Sequence, residues 1–220
     1  MQIFPAILTD SLWTAQEQLD LVKNSGHFET VQVDIIDGYF ADSITLTPAD
    51  LSECDWGDLT ADIHLITVDP MDYVNELIEF KKLLPIRSVI TQVEKLSAPE
   101  AFIAEIKHHD WQVGFSLDLF TTLDAIDAEL LPQLDSIQVM GNQAGEQGLP
   151  LHPRALETLR EVQQFAEKHK HQWEIICDIG VNRDTLDSVR KAGATGVAVG
   201  SALWKAPDFA EAADALLGLA

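Results

Sequence analysis

Three residues in or near predicted strands, Asp34, His64 and Asp178, have side chains that could hold a metal ion. Two carboxylates and one imidazole from three different strands can converge on one divalent cation and leave positions open for water or substrate. Each residue alone gives weak support, because a strand histidine can be a hydrogen-bonded core residue and an aspartate can bind backbone groups of the following turn. Asp37, directly before Gly38, fits the turn role better than Asp34 does.

The stretch that contains Asp34 reads TVQVDIIDG over residues 30–38. Its β-branched run, which stops at a turn signal, predicts a strand buried on both faces, with Gln32 and Asp34 on the same face. A carboxylate inside a buried strand costs on the order of several kcal/mol unless it is paired, hydrogen-bonded or bound to metal. Asp34 therefore needs such a partner, and function is the usual reason at the carboxyl end of a strand.

Apolar runs that predict strands alternate with helical patterns along the chain. The predicted strands cover residues 3–8, 30–38, 61–66, 87–93, 112–117, 136–140, 173–179 and 196–200. The predicted helices cover residues 12–25, 70–84, 99–109, 123–131, 153–170, 182–192 and 208–217, with a loop and a short helix between 39 and 58. About eight such units predict an α/β fold, a (β/α)8 TIM barrel that forms a single domain over residues 1–220. An open doubly wound sheet is the rival, but the Gly-rich turn usual after its first strand is missing after Leu8.

Composition limits the partners and the location that we expect. The chain has 14 basic and 36 acidic side chains and a formal net charge of -22, which argues against nucleic acid or an anionic membrane as a partner. No apolar run approaches the length of a membrane span, and residues 1–5 lack the basic start of a signal peptide, so we expect a cytoplasmic protein. Cys54 and Cys177 show no metal-ligand spacing and are expected to be reduced thiols.

Five segments, in their order and spacing, resemble the ribulose-phosphate 3-epimerase family. The segments are VQVDIIDGYF (31–40), DIHLI (62–66), DPMDY (69–73), DIGVN (178–182) and AGATGVAVGSA (192–202). The resemblance implies a metal-dependent 1,1-proton transfer at C3 of a pentulose or hexulose phosphate. In this reaction, removal of the proton α to the ketone gives an ene-diolate that a metal stabilises, and two carboxylates act as base and acid. It also implies self-association, although the sequence shows no interface pattern.

The resemblance assigns roles to the residues singled out above. By position, Asp34 and Asp178 match the family's acid and base, which also bind the metal, and His64 matches a third ligand. Gln32 stands where the family has a fourth ligand, a histidine. A neutral amide oxygen is a poorer donor than imidazole for zinc or iron, so the change predicts weaker binding or a harder metal. We expect a divalent cation that is zinc, manganese or iron.

The same resemblance implies a phosphate-binding cup and a substrate-lining residue. The cup residues are Gly145, Gly148, Gly180, Gly200 and Ser201. These glycines could equally serve tight turns, and Met140, which matches a residue lining the site, could equally fill the core. Glu146 adds a negative charge where backbone amides should receive phosphate, and Ile179 displaces a family glycine. Arg183 and Lys205 lie near the expected rim, and each could be an ordinary surface charge.

Further departures keep three functions open. Ala6 replaces a serine, Ile36 replaces a methionine expected under the metal, and Gln92 stands where a histidine is usual. The chain could be a sugar-phosphate epimerase, a related barrel enzyme for another carbonyl sugar, or a non-catalytic barrel that binds a metabolite or a partner protein. A Schiff-base aldolase is disfavoured because Lys95 lies out of phase with the inward face. The metal-independent decarboxylases of similar barrels carry Asp-x-Lys where this chain has DIH (62–64), and the histidine favours metal.

Overall fold

Eight parallel strands close into a barrel in the computed structural model, which describes residues 1–220. The strands are β1 (Gln2–Ile7), β2 (Thr30–Ile36), β3 (Thr60–Ile66), β4 (Ile86–Gln92), β5 (Gln112–Leu117), β6 (Ser136–Met140), β7 (Glu174–Asp178) and β8 (Gly196–Val199). Each strand pairs with the next one along the chain, and β8 pairs with β1. The predicted (β/α)8 TIM barrel is therefore confirmed, with every predicted strand within two residues of its observed bounds.

Eight α-helices accompany the barrel. They are α1 (Leu12–Ser25), α2 (Pro48–Leu51), α3 (Pro70–Phe80), α4 (Pro99–His108), α5 (Pro153–His169), α6 (Leu186–Lys191), α7 (Ser201–Trp204) and α8 (Phe209–Leu217). The predicted bounds of α1 match the observed ones, and capping residues mark both of its ends. The Ser11 side chain accepts a hydrogen bond from the Thr14 N–H at the start of α1, and Gly26 ends that helix at a φ of 65°. No helix is both long enough and apolar enough to cross a bilayer.

The helix predicted over residues 123–131 is wrong. Two 3-10 turns, Leu123–Ala125 and Leu131–Gln133, occupy this connection between β5 and β6. The side chain of Asp127 accepts a hydrogen bond from the Glu129 N–H at 3.0 Å, a local bond that competes with the helical backbone pattern. The apolar spacing that suggested a helix still reflects burial, because Ile126 and Leu130 both pack in the core.

The barrel interior begins with a charged layer at the amino ends of the strands. Asp62 of β3 is buried and accepts a hydrogen bond from Arg87 Nε of β4 at 2.7 Å. Arg87 Nη2 also donates to Glu174 Oε2 of β7 at 2.9 Å, and its guanidinium lies 5.0 Å from the centre of the Phe4 ring. A small apolar layer of Phe4, Ile90 and Ile176 lies in the barrel as well. These packed side chains make the barrel a filled core.

Replacing Arg87 with Met should lower the free energy of unfolding by about 3–5 kcal/mol, because the Asp62 carboxyl would stay buried without its partner. Urea unfolding followed by circular dichroism measures the change. Arg190→Met is the matched control, since Arg190 pairs with Asp187 at the surface, where losing an ion pair costs little. Equal losses in the two variants would contradict a buried role for Arg87.

Candidate active site

Asp34, His64 and Asp178 lie together at the carboxyl ends of β2, β3 and β7. The pairing of β2 with β3 sets Asp34 opposite His64, and Asp178 is the last residue of β7. His64 Nδ1 lies 3.0 Å from Asp34 Oδ1 and 3.7 Å from Asp178 Oδ2. One ligand atom from each residue lies within 4.8 Å of the other two, and all three side chains are buried. The structure thus brings together the residues that the sequence singled out.

The amide of Gln32 bridges the two carboxylates. Gln32 Nε2 donates hydrogen bonds to Asp34 Oδ1 at 2.9 Å and to Asp178 Oδ2 at 2.7 Å. Strand alternation explains this contact, because Gln32 and Asp34 share the inner face of β2. The amide therefore holds the two buried carboxyl groups together by donating to both of them.

Two more glutamines contact His64, and neither was predicted to be a site residue. Gln138 of β6 places Nε2 at 3.1 Å from His64 Nδ1 and 3.1 Å from Asp178 Oδ2. Gln92 of β4 places Nε2 at 3.2 Å from His64 Nε2. Gln92 was noted only as a departure from the family, and Gln138 was not considered. A signal for Gln138 was present, since strand alternation puts it on the same face as Met140.

Local backbone structure fixes the two carboxylates. Thr45 Oγ1 donates to the carbonyl oxygen of Asp34 at 2.7 Å and accepts from the Ile36 N–H at 2.9 Å, which anchors the end of β2. The Ile179 N–H donates to Asp178 Oδ1 at 2.7 Å, and Ile179 itself has a φ of 72°. This left-handed backbone conformation costs a β-branched residue about 1–3 kcal/mol. The backbone of Ile179 is therefore strained at the residue whose N–H donates to Asp178.

Asp37 has the turn role that its sequence context predicts. Its Oδ1 atom accepts hydrogen bonds from the N–H groups of Tyr39 and Phe40, and its Oδ2 atom accepts one from the Val68 N–H. These bonds tie the loop after β2 to the loop after β3. The Asp37 carboxylate therefore accepts hydrogen bonds from backbone N–H groups, whereas the Asp34 carboxylate contacts the side chains of Gln32 and His64.

The surroundings of Asp178 favour its protonated form. Burial raises the pKa of the Asp178 carboxyl to about 7, and the nearby Asp34 carboxylate raises it as well. The His64 imidazole and hydrogen bonds from Gln32 and the Ile179 N–H act in the opposite direction. A carboxyl group that exchanges its proton near neutral pH is suited to general acid–base chemistry.

A cleft lined by Asp34 and Asp178 opens at the carboxyl ends of the strands. Its lining includes all the residues predicted for the cup and the site wall, which are Met140, Gly145, Gly148, Gly180, Gly200 and Ser201. Gly180 also meets the turn explanation, because it has a φ of 77° and a Cβ there would clash with the Leu151 backbone nitrogen. Arg183, by contrast, lines a separate surface depression beside α8. Glu146 lines the cleft and brings an exposed negative charge to it.

Polar side chains gather at the Gly148 end of this cleft. A Cβ placed on Gly148 would lie 3.3 Å from Lys205 Nζ and 3.8 Å from Ser201 Oγ. Gln147 also lines the cleft, and its Nε2 atom is buried without a hydrogen-bond partner. Lysine, serine and an unpaired amide donor together form an environment that suits an anion.

The donor set at the barrel mouth fits a divalent cation. Two carboxylate oxygens and one imidazole nitrogen suit zinc, manganese or iron(II). Gln32 points its amide nitrogen at both carboxylates, so its Oε1 could be a fourth ligand only after the amide turns and gives up these two hydrogen bonds. Two buried amide oxygens beside His64, those of Gln92 and Gln138, have no hydrogen-bond partner. Such orphaned acceptors indicate that this layer is not fully satisfied by the protein alone.

In metal-free protein, Asp178→Asn should become more stable relative to the wild type as pH rises from about 4 to about 7. The wild-type carboxyl keeps its proton up to about pH 7 when folded, but only up to about pH 4 when unfolded. Its contribution to stability is therefore present at acid pH and lost as pH rises through this window. Denaturant unfolding in chelator-containing buffers from pH 4 to pH 8 measures the difference. A difference that stays constant with pH would contradict the raised pKa.

The chain is similar to known proteins in both sequence and fold. The sequence model of the ribulose-phosphate 3 epimerase family matches residues 2–204. A ribulose-phosphate 3-epimerase of Synechocystis sp. is 29% identical over 213 residues, which cover 96% of this chain and 90% of that protein. A Bacillus subtilis protein of the same name is 27% identical over 222 residues, which cover 99% of each chain. A solved 3-hexulose-6-phosphate synthase shares the fold, with a TM-score of 0.70 and 17% identity over 99% of both chains.

Proposed function

The chain belongs to the ribulose-phosphate 3-epimerase family, whose members are isomerases acting on carbohydrates, and from this premise we propose a specific reaction. The reaction is inversion at C3 of a pentulose or hexulose phosphate by 1,1-proton transfer through an ene-diolate. The observation that carries the proposal is the pair of buried carboxyl groups, Asp34 and Asp178, that face one cleft beside His64. Proton removal from one face of C3 and delivery to the other requires two such groups.

Asp34 and Asp178 act as base and acid and exchange these roles with the direction of the reaction. One carboxylate takes the proton from C3, which leaves an ene-diolate, and the other carboxyl group gives a proton to the opposite face of the same carbon. The pKa of Asp178 near 7 supports this division, because one group of the pair can hold a proton while the other is ionised. In the metal-free arrangement, the Gln32 amide donates to both carboxyl groups and holds them together.

Asp34, His64 and Asp178 would hold the divalent cation, with Gln32 as a weaker fourth ligand through its amide oxygen. When bound, zinc, manganese or iron(II) would supply Lewis-acid stabilisation of the negative charge on the substrate oxygens. Without it, the interior layer offers amide donors but no lysine or arginine near the two carboxylates. The lack of a protein cation beside two buried acids supports a metal ion in this role.

The phosphate group of the substrate binds at the Gly148 end of the cleft. Ser201 Oγ, Lys205 Nζ and the unpaired Gln147 Nε2 supply donors there, and Gly145, Gly180 and Gly200 let the backbone lie close to the substrate. Met140, which is buried beside Asp178, forms part of the wall under the sugar.

One observation favours a second candidate, an epimerase or isomerase for a carbonyl sugar without phosphate. Glu146 lines the cleft where the phosphate would lie, and a carboxylate repels a phosphate dianion. The two candidates differ in whether binding requires the phosphate group. Titration with ribulose and with ribulose 5-phosphate separates them, since the second candidate expects comparable affinities.

With zinc, manganese or iron(II) present, wild-type protein in D2O should place deuterium at C3 of ribulose 5-phosphate, as followed by proton NMR. Asp34→Asn and Asp178→Asn should each lower kcat by about 100- to 10,000-fold, because each removes one proton-transfer group. Asp187→Asn, which changes an exposed carboxylate on α6, is the control and should keep wild-type exchange. The reaction proposed here is wrong if none of the pentulose and hexulose phosphates tested exchanges C3 with any of the three metals.

Lys205→Met should raise KM for a sugar phosphate roughly tenfold with little change in kcat, because it removes one charge-assisted hydrogen bond to a group remote from C3. Lys191→Met is the control, since Lys191 pairs with Asp187 on the outer surface. Steady-state kinetics of both variants measures the two constants separately. A KM unchanged by Lys205→Met would place the phosphate elsewhere.

A further inference from the structure

Gln92 is a buried amide whose only hydrogen bond leads to His64. The side chains of Gln92 and His64 are both fully buried, and Gln92 Nε2 lies 3.2 Å from His64 Nε2. The other end of the same amide, Gln92 Oε1, is buried with no hydrogen-bond partner. A buried acceptor without a hydrogen bond destabilises the folded protein, so the unpaired oxygen calls for an explanation.

The contacts of His64 define which of its ring nitrogens carries hydrogen in the metal-free arrangement. Asp34 Oδ1 can only accept, and it lies 3.0 Å from His64 Nδ1, so Nδ1 carries the hydrogen. His64 Nε2 is then an acceptor, and the Gln92 amide donates to it. This arrangement leaves Gln92 Oε1 unused. It also sets the Nδ1–H group 3.1 Å from Gln138 Nε2, which is a second donor.

A cation between Asp34, His64 and Asp178 would change which ring nitrogen of His64 carries the hydrogen. Nδ1 faces both carboxylates, so it is the ring nitrogen that would bind the cation, through a lone pair and without a hydrogen. The ring hydrogen then resides on Nε2 and needs an acceptor. Gln92 Oε1 becomes that acceptor after a half-turn of the amide about its last torsion, which is a soft twofold rotation. Once Nδ1 carries no hydrogen, Gln138 Nε2 no longer faces a second donor at that ring nitrogen.

Gln138 is less able to supply the acceptor. Its Oε1 atom is also unpaired, and its Nε2 lies 3.5 Å from His64 Nε2. However, Gln138 Nε2 donates to Asp178 Oδ2 at 3.1 Å, and a half-turn would bring its oxygen against that carboxylate. Gln92 has no such second bond to lose.

We propose that Gln92 is a positioning residue for the cation site, whose amide turns over when the cation binds so that Oε1 accepts the hydrogen bond from His64 Nε2. Its place in the fold suits this task, because Gln92, the last residue of β4, contacts His64 Nε2, whereas the other ring nitrogen, Nδ1, faces the two carboxylates. The inference rests on the cation site of the proposed function and adds a residue that no part of that proposal uses.

Two Gln92 variants test the proposal by zinc affinity, measured by calorimetry on the purified full chain. Gln92→Met keeps the length of the side chain but removes the acceptor, and it should weaken zinc binding about 10- to 100-fold. Gln92→Glu restores a strong acceptor and should bind zinc at least as tightly as the wild type. Thr91→Val is the matched control, since it removes another buried polar group of β4 on the opposite face and should leave zinc affinity unchanged.

Nitrogen-15 NMR of labelled histidine provides a second readout that a purely structural role would not move. His64 is identified as the signal absent from a His64→Gln variant. In the wild type, adding zinc should move the ring hydrogen from Nδ1 to Nε2 and slow its exchange with solvent. In Gln92→Met, the zinc-loaded Nε2–H should exchange faster, because it lacks its acceptor.

The outcomes separate this inference from the proposed function. If the wild type binds zinc and Gln92→Met binds it equally well, the role of Gln92 is wrong and the cation site stands. If Nδ1 keeps its hydrogen in the loaded protein, His64 does not bind zinc through Nδ1, and both this ligand assignment and the role of Gln92 are wrong. If the wild type binds neither zinc, manganese nor iron(II), the cation site itself is wrong and the role of Gln92 falls with it.

Discussion

The burial of two carboxyl groups in one layer of the barrel interior is the constraint on which the rest of the site depends. Asp34 and Asp178 have little access to water and lie close enough to share one amide donor. Unpaired, such groups would cost several kcal/mol or more, on the order of the penalty for any buried ion. The protein meets this cost with neutral donors, a raised pKa for Asp178 and an imidazole between the acids. Each of these features is also useful for moving protons.

The two ends of the barrel solve the problem of buried charge in different ways. At the amino end, Arg87 pairs with both Asp62 and Glu174, so the layer supplies its own cation and is closed to further partners. At the carboxyl end no lysine or arginine enters the layer, and amide oxygens of Gln92 and Gln138 remain unpaired. The first arrangement serves stability. The second leaves unpaired polar groups, which can bind a ligand, at the end of the barrel where catalytic sites of this fold are found.

The sequence predicted the fold and the three central side chains well because both follow from local patterns. Strand alternation and helix caps are short-range signals, and they located α1 and β5 without error. The failed helix at 123–131 shows the limit of such signals, since the side chain of Asp127 bonds the local backbone and overrides the apolar spacing. The roles of Asp34, His64 and Asp178 came from the resemblance, and those roles remain predictions.

The glutamines of the interior layer were harder to interpret from sequence. Strand alternation places Gln138 on the inner face of β6, but no local pattern predicts its hydrogen bond to Asp178, which lies 40 positions away. Gln32 was interpreted as a weakened ligand, whereas its amide also holds the two carboxylates together. An amide can donate or accept according to a half-turn, so its function depends on neighbours that only the folded chain assembles. Two of the residues that depart from the family, Gln32 and Gln92, are such amides.

Anomalous X-ray diffraction from crystals grown with zinc tests the central claim most directly. The account predicts one anomalous peak at the carboxyl end of the barrel, about 2.0–2.2 Å from Asp34 Oδ1, His64 Nδ1 and Asp178 Oδ2. A barrel mouth without an anomalous peak, in crystals whose surface acids do bind zinc, would contradict it. Side chains of Asp34 and Asp178 that turn away from His64 in the same map would contradict it as well.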